Sequence, residues 1–317
     1  MKVVLHAVEG EKHFGILEGT LPDLEIVRAT SPDEAVALIK DADVFFGRPT
    51  HELLAAAERL RWIQAPSAGV EFVSSMPELV ENDMLLTNTR GAHGPSIAEH
   101  VFGLLLAFTR EIPVCLDLQR ERRWVREKLY RSAREIMGST MGIVGFGQIG
   151  RNIAQRAQGF ELNLLAVDAQ AVDGTPFVDS VWPTSRLGDL LVQSDIVVIT
   201  VPLSDSSRNM IDANAIAKMK PDAYLIAISR GGIVNEEALA KALKSGHLAG
   251  AGLDVTVQEP LPPDNPLWDA PRLILTPHLA GASDPKERRV VEIFRDNLLR
   301  FAAGEPLINQ VDKRLGY

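Results

Sequence analysis

Short runs of Val, Ile, Leu and Phe recur along this 317-residue chain, separated by stretches in which apolar residues return every third or fourth position. Continuous apolar runs mark strands covered on both faces, and the longer spacing marks amphipathic helices. Their alternation predicts strand-helix-strand units, and hence parallel sheets. In the first third, strands are expected at 3–6, 25–29, 44–47, 62–65 and 85–88, with helices at 31–39 and 51–59. Ser31 ahead of Pro32-Asp33-Glu34 is a helix start, with a capping hydroxyl, a proline in the first turn and acids at the positive end of the dipole.

A second series follows at 141–146, 164–168, 196–201, 224–229, 251–254 and 273–276, predicting another sheet of about six strands. A long helix is expected at 96–110, then a charged stretch at 120–134 that carries Trp124 and Tyr130. Apolar residues at helical spacing over 285–300 predict a last helix that crosses back to the first domain. The fold class is therefore α/β: two doubly wound parallel-sheet (Rossmann-like) domains with a cleft between them. Residues 1–97 plus 285–317 form the expected substrate-binding domain, and 98–284 the nucleotide-binding domain.

At 46% hydrophobic residues the chain has enough apolar material for two cores. A net charge of −9 argues against nucleic acid as a standing partner, which needs a surplus of Lys and Arg. Cys115 is the single cysteine, so neither an internal disulfide nor a thiolate metal cluster is available, in keeping with a reducing cytoplasm. The opening residues lack the pattern of a signal peptide, and the longest oily stretch, 97–108, contains Glu99 and His100 and is too short to span a bilayer. We expect a cytoplasmic protein with no membrane or nucleic-acid partner.

The motif Gly145-Phe146-Gly147-Gln148-Ile149-Gly150 sits between a buried-strand pattern and a helix. Gly145 suits the tight turn, Gly147 the approach of backbone to a pyrophosphate, and Gly150 close helix-strand packing. The amides of Gln148 and Ile149 would face the phosphates. Asp168, ending the next strand, is placed to accept the ribose hydroxyls of NAD and to repel a 2'-phosphate, and no Lys or Arg follows it until Arg186. The expected cofactor is NAD.

Three later segments leave an ionisable residue at a strand's carboxyl end: Ser229-Arg230-Gly231-Gly232, Asp254 with Glu259, and Thr276-Pro277-His278. Singly, these also read as a solvated arginine, a turn acid and a loop cap. Together they supply what reduction of a 2-oxo acid requires, namely a cation, a proton donor and a carboxylate to tune that donor.

With these segments, and with Ile233-Val234, Gly252-Leu253-Asp254-Val255, Asn88-Thr89 and Ile97-Ala98-Glu99-His100, the chain closely resembles the D-isomer-specific 2-hydroxyacid dehydrogenase family over nearly its whole length. The resemblance implies that Arg230 orients the substrate carbonyl, that His278 donates the proton and that Glu259 pairs with His278. It also implies that Asp254, Ile228 and Ser229 lie near the nicotinamide, with Val201 and Pro202 towards the adenosine. Glu259 separates the chain from the similar formate dehydrogenases, which carry glutamine there. A homodimer is implied as well, with the 120–134 stretch either its arm or a solvated helix.

Pro66-Ser67-Ala68-Gly69-Val70 reads either as an ordinary turn or as a clamp whose amides bind the substrate carboxylate, and the resemblance favours the clamp for Ala68, Gly69 and Val70. Glu71 stands where the family often has aspartate and Arg90 where it often has proline. Arg48 and Arg90 read as solvated. His93 and His100 lack a partner at the one-turn spacing of a zinc helix, so no metal is expected. The leading expectation is an enzyme acting on a small 2-oxo or 2-hydroxy acid. The alternative is an NAD(H)-sensing protein like the C-terminal-binding corepressors.

Overall fold

In a computed structural model that describes residues 1–6, 10–173 and 175–314, the chain begins with β1 (Lys2–His6), β2 (Glu25–Arg28), α1 (Pro32–Leu38) and β3 (Val44–Gly47). There follow α2 (His51–Ala56), β4 (Trp62–Gln64), α3 (Pro77–Glu81) and β5 (Leu85–Thr87). The middle holds α4 (Gly94–Thr109), α5 (Ile112–Arg120), α6 (Glu127–Ser132), β6 (Thr140–Val144), α7 (Gln148–Ala157) and β7 (Asn163–Asp168). Next come β8 (Val172–Asp173), β9 (Ser180–Pro183), α8 (Leu187–Gln193), β10 (Ile196–Ile199), α9 (Ala213–Lys218) and β11 (Ala223–Ala227). Then α10 (Glu236–Lys244), β12 (Leu248–Leu253) and β13 (Leu273–Leu275) precede α11 (Asp284–Ala303). Two units result: Met1–His93 with Ser283–Tyr317, and Gly94–Ala282.

Unit 1 is a parallel sheet of order β2-β1-β3-β4-β5. Its central strands carry apolar runs because both faces are covered. Val4, Phe45 and Ile63 meet Ala35, Ile39, Leu53 and Leu79 on one side. Val3, Leu5, Phe46 and Trp62 meet Phe14, Leu17 and the α11 residues Val290, Val291, Phe294 and Leu298 on the other. The helix starts follow local chemistry. Ser31 Oγ accepts the Glu34 amide at 3.2 Å and Ser283 Oγ the Lys286 amide at 3.2 Å, while α11 ends at Gly304 with φ 69°.

Phe294 is fully buried, its ring 4.8 Å from that of Phe46 and 5.3 Å from that of Trp62. Replacing it with alanine is expected to destabilise unit 1 by about 3–5 kcal/mol, read as a fall in the urea midpoint followed by tryptophan fluorescence. An unchanged midpoint would contradict this packing.

Unit 2 is a sheet of order β13-β12-β11-β10-β6-β7-β9-β8, in which seven strands run parallel and β8 pairs antiparallel with β9. From β9 through β12 this is the 3-2-1-4-5-6 order of dinucleotide-binding folds, with the switch point between β6 and β10. One face packs Val144, Val197, Ile199 and Leu225 under α8, α9 and α10. The other packs Met141, Ile143, Val198 and Ile226 under α4 and α7. The two strands beyond the expected six are β8 and β9, which are short, and β9 ends in Pro183, so they carry almost no apolar run.

Candidate active site

The glycine turn opens at the carboxyl end of β6. Gly145 has φ 98°, which a side chain would strain, and a Cβ on Gly150 would collide with the Gly145 carbonyl. A Cβ on Gly147 would meet nothing within 4 Å, so that side is open to a ligand. No side chain caps α7, leaving the amides of Gln148 and Ile149 in its first turn for a ligand. Asp168 closes this corner: Oδ2 accepts the Phe146 amide at 2.6 Å and Oδ1 the Gln170 amide at 3.0 Å. Arg186, the next cation after Asp168, lies over the Trp182 ring at 3.7 Å and pairs with Asp189.

Beside the turn, Thr200 Oγ1 donates to the Gly145 carbonyl at 2.6 Å, and Val201 and Pro202 follow directly. At the end of β11, Ile228 and Ser229 are buried, and Ser229 Oγ has no hydrogen-bond partner among the described residues. An uncapped helix start, an open Gly147 and an orphaned buried hydroxyl are what a bound dinucleotide would satisfy, so the residues fit that group. Arg230 follows, one guanidinium nitrogen 2.7 Å from the Ser229 carbonyl. A Cβ on Gly231 would strike the Thr256 carbonyl, so the Arg230 turn and the Glu259 turn lie in close contact.

His278 Nδ1 is 2.7 Å from Glu259 Oε2, and Glu259 Oε1 accepts the Thr256 amide at 3.1 Å. A carboxylate can only accept, so Nδ1 carries the hydrogen, and Nε2 is the atom left to give or take a proton. His278 has φ 53°, an uncommon conformation for a bulky residue, and several bonds hold it. Its amide donates to the Asp254 carbonyl at 2.8 Å, and the next two amides, of Leu279 and Ala280, donate to the Asp254 carboxylate at 3.0 and 2.9 Å. Asp254, expected beside the nicotinamide, is 1% exposed and is first of all the anchor of the His278 turn. Among the described residues its Oδ2 accepts from the Ala280 amide alone and keeps a lone pair for a further donor.

Glu236, at the first position of α10, also accepts the Val257 amide at 2.6 Å, pinning the turn that carries Glu259. No motif marked it, because an acid in a first helical turn is common for dipole reasons alone.

In unit 1 the 66–70 loop turns its carbonyls inward. Pro66 O accepts from Thr89 Oγ1, Ser67 O from the Thr89 amide, Ala68 O from Asn88 Nδ2 and Gly69 O from Ser67 Oγ, at 2.7 to 3.1 Å. The amides of Ala68, Gly69 and Val70 donate to none of the described residues. Amides without a protein acceptor are open to an anionic ligand. Arg48 and Arg90 are both exposed, Arg48 with its guanidinium 5.6 Å from the Phe72 ring centre. Among the described residues one group of possible metal ligands occurs, His13 with Asp284 and Glu287, and it includes none of the expected site residues.

Bare helix-start amides and an imidazole paired with a carboxylate share one sheet edge, an arrangement suited to a nicotinamide-dependent oxidoreductase. The family model described as D-isomer specific 2-hydroxyacid dehydrogenase, NAD binding domain, matches residues 102–280. Glyoxylate reductase of Thermofilum pendens is 36% identical over 284 residues, covering 87% of this chain and 83% of that one. Glycerate dehydrogenase of Methylorubrum extorquens is 34% identical, covering 87% and 88%. The crystal structure of a D-isomer specific 2-hydroxyacid dehydrogenase family protein from Aeromonas salmonicida matches with TM-score 0.86 and 34% identity, over 98% of this chain and 99% of that one. The chain belongs to the D-isomer specific 2-hydroxyacid dehydrogenase family, and its unit 2 contains the NAD-binding domain. No helix among the described residues is long and apolar enough to cross a membrane.

Proposed function

We propose that the protein interconverts a small 2-oxo acid and its D-2-hydroxy acid. The observation that carries this reading is the His278–Glu259 pair at 2.7 Å, on the edge that also bears Arg230 and the glycine turn. NADH, when bound, supplies the hydride that reaches the carbonyl carbon. Arg230 offers a planar fork of donors to the carbonyl oxygen and carboxylate. His278 Nε2 gives its proton to that oxygen as charge develops, and in oxidation takes it back. Glu259 holds Nδ1 and faces the imidazolium, while the amides of Ala68, Gly69 and Val70 bind the substrate carboxylate.

Gly145, Gly147, Gln148, Ile149 and Gly150 hold the pyrophosphate, and Asp168 the adenosine ribose. Val201 and Pro202 line the adenosine side, and Ile228, Ser229 and Asp254 the nicotinamide. The glyoxylate reductase and glycerate dehydrogenase among its relatives support 2-oxo acids of two or three carbons as substrates. The test is NADH oxidation against a panel of 2-oxo acids. Binding of NADH without turnover on any of them would favour a sensor over an enzyme and overturn the reading.

Asp168 provides a second test. Its replacement by alanine is expected to weaken NADH binding by about 10- to 100-fold, the size of a hydrogen bond to a charged group, and to narrow the NADH/NADPH ratio. Fluorescence titration with both nucleotides reads this. An unchanged ratio would remove Asp168 from cofactor choice.

The reading includes a cytoplasmic homodimer. In unit 2, α5 exposes Ile112, Val114 and Leu116 by 46%, 39% and 47%, and Trp124 beyond it is 96% exposed, an apolar strip that a second copy would cover. Light scattering decides, and a monomer mass would overturn it.

A further inference from the structure

His100 lies on α4 and takes no part in the reaction proposed above, yet its ring reaches the core of the site. Its side chain is 16% exposed, and Nε2 stands 3.0 Å from Thr276 Oγ1 and 3.7 Å from Asp254 Oδ1. Thr276 Oγ1 in turn lies 2.5 Å from Asp254 Oδ1. A hydroxyl has one proton, and the ionised carboxylate can only accept, so Thr276 donates to Asp254. The threonine oxygen is then an acceptor towards His100, which fixes the hydrogen of His100 on Nε2. The bonds run in one direction, from His100 Nε2 through Thr276 Oγ1 to Asp254 Oδ1.

We propose that His100 is a positioning residue for His278, acting through Thr276 and Asp254. The same Asp254 carboxylate receives the amides of Leu279 and Ala280, and its carbonyl receives that of His278. These bonds hold His278 at φ 53°, a backbone state that persists only where its surroundings over-determine it. Without His100 the Thr276 hydroxyl is free to turn, the buried carboxylate loses one fixed donor, and the His278 turn relaxes. Nε2 of His278 then points away from the reacting oxygen for part of the time. Chained hydrogen bonds of this kind polarise one another, so the loss exceeds that of one isolated contact.

The inference rests on His278 being the proton donor, and the experiment separates the two. The variants are His100→Leu, His100→Gln, Thr276→Val, His100→Leu with Thr276→Val, and His278→Ala, all measured on the full chain with its best 2-oxo acid. His100→Leu is expected to lower kcat by about 10- to 100-fold with little change in KM for the 2-oxo acid, and to enlarge the solvent deuterium isotope effect as proton transfer slows. His100→Gln, whose amide nitrogen reaches the place of Nε2, restores most of kcat. Thr276→Val matches His100→Leu, and the double variant is no worse than either, as one chain requires. Multiplying losses in the double variant, or a wild-type kcat in His100→Leu, would overturn the inference while leaving the reaction in place. Should His100→Leu fail to fold, the comparison of His100→Gln with Thr276→Val still decides, since equal losses in both would remove the donor role of Nε2. If His278→Ala turns over normally, the proposed reaction itself fails.

Discussion

Replacing His278 with alanine lowers kcat for 2-oxo acid reduction by about 10²- to 10⁴-fold, the usual contribution of a positioned general acid, and leaves NADH affinity unchanged. The reason lies in the geometry of the pair. Nδ1 is committed to Glu259 at 2.7 Å, so Nε2 is the atom left to exchange a proton, and alanine removes it without touching the glycine turn. Steady-state rates, alongside fluorescence titration of NADH, check both parts. A variant that retained normal rates would remove His278 from the chemistry.

Arg230 carries the second large effect. Its substitution by leucine is expected to lower kcat/KM by about 10²- to 10³-fold, comparable with removing one donor from a developing oxyanion. Arg230→Lys should recover only part of this, since an ammonium keeps the charge but lacks the planar fork that meets a carboxylate and a carbonyl together. Binding of oxalate, an unreactive mimic of the carboxylate-carbonyl unit, should weaken in parallel. Equal activity for the lysine and arginine forms would show that charge alone suffices.

Much of this architecture is legible in the chain because parallel strands buried on both faces read as unbroken apolar runs. The expected strand at 44–47 coincides with β3, and the expected runs at 196–201 and 224–229 overlap β10 and β11. Boundaries slip where a run continues past the last ladder bond. Val201 and Ile228 are buried like strand residues but belong to the turns beyond β10 and β11. The glycine turn was visible because its backbone demands are specific, and Arg230, Glu259 and His278 because each follows a strand.

What the chain did not disclose is the work done by backbone amides and by partners far away in sequence. Nothing about Asp254 announces that it collects the amides of Leu279 and Ala280, and nothing about Glu236 announces Val257. The pattern around Ala68 to Val70 left open a turn or a clamp. In the fold the carbonyls of 66–69 accept from Thr89, Asn88 and Ser67, while the amides of Ala68, Gly69 and Val70 donate to none of the described residues. Hydrogen-bond direction of this kind depends on tertiary placement, and no periodicity encodes it.

The chain leaves unit 1 at His93 and returns to it only at Ser283, which orders events during synthesis. All strands of unit 1 emerge from the ribosome early, but the helix that seals Phe46 and Trp62 is made only after the whole of unit 2. Until α11 arrives, one broad aromatic face of the nascent sheet stays in water. Slowing translation between the codons for unit 2 and α11 should therefore lower the soluble yield more than the same delay placed after α11.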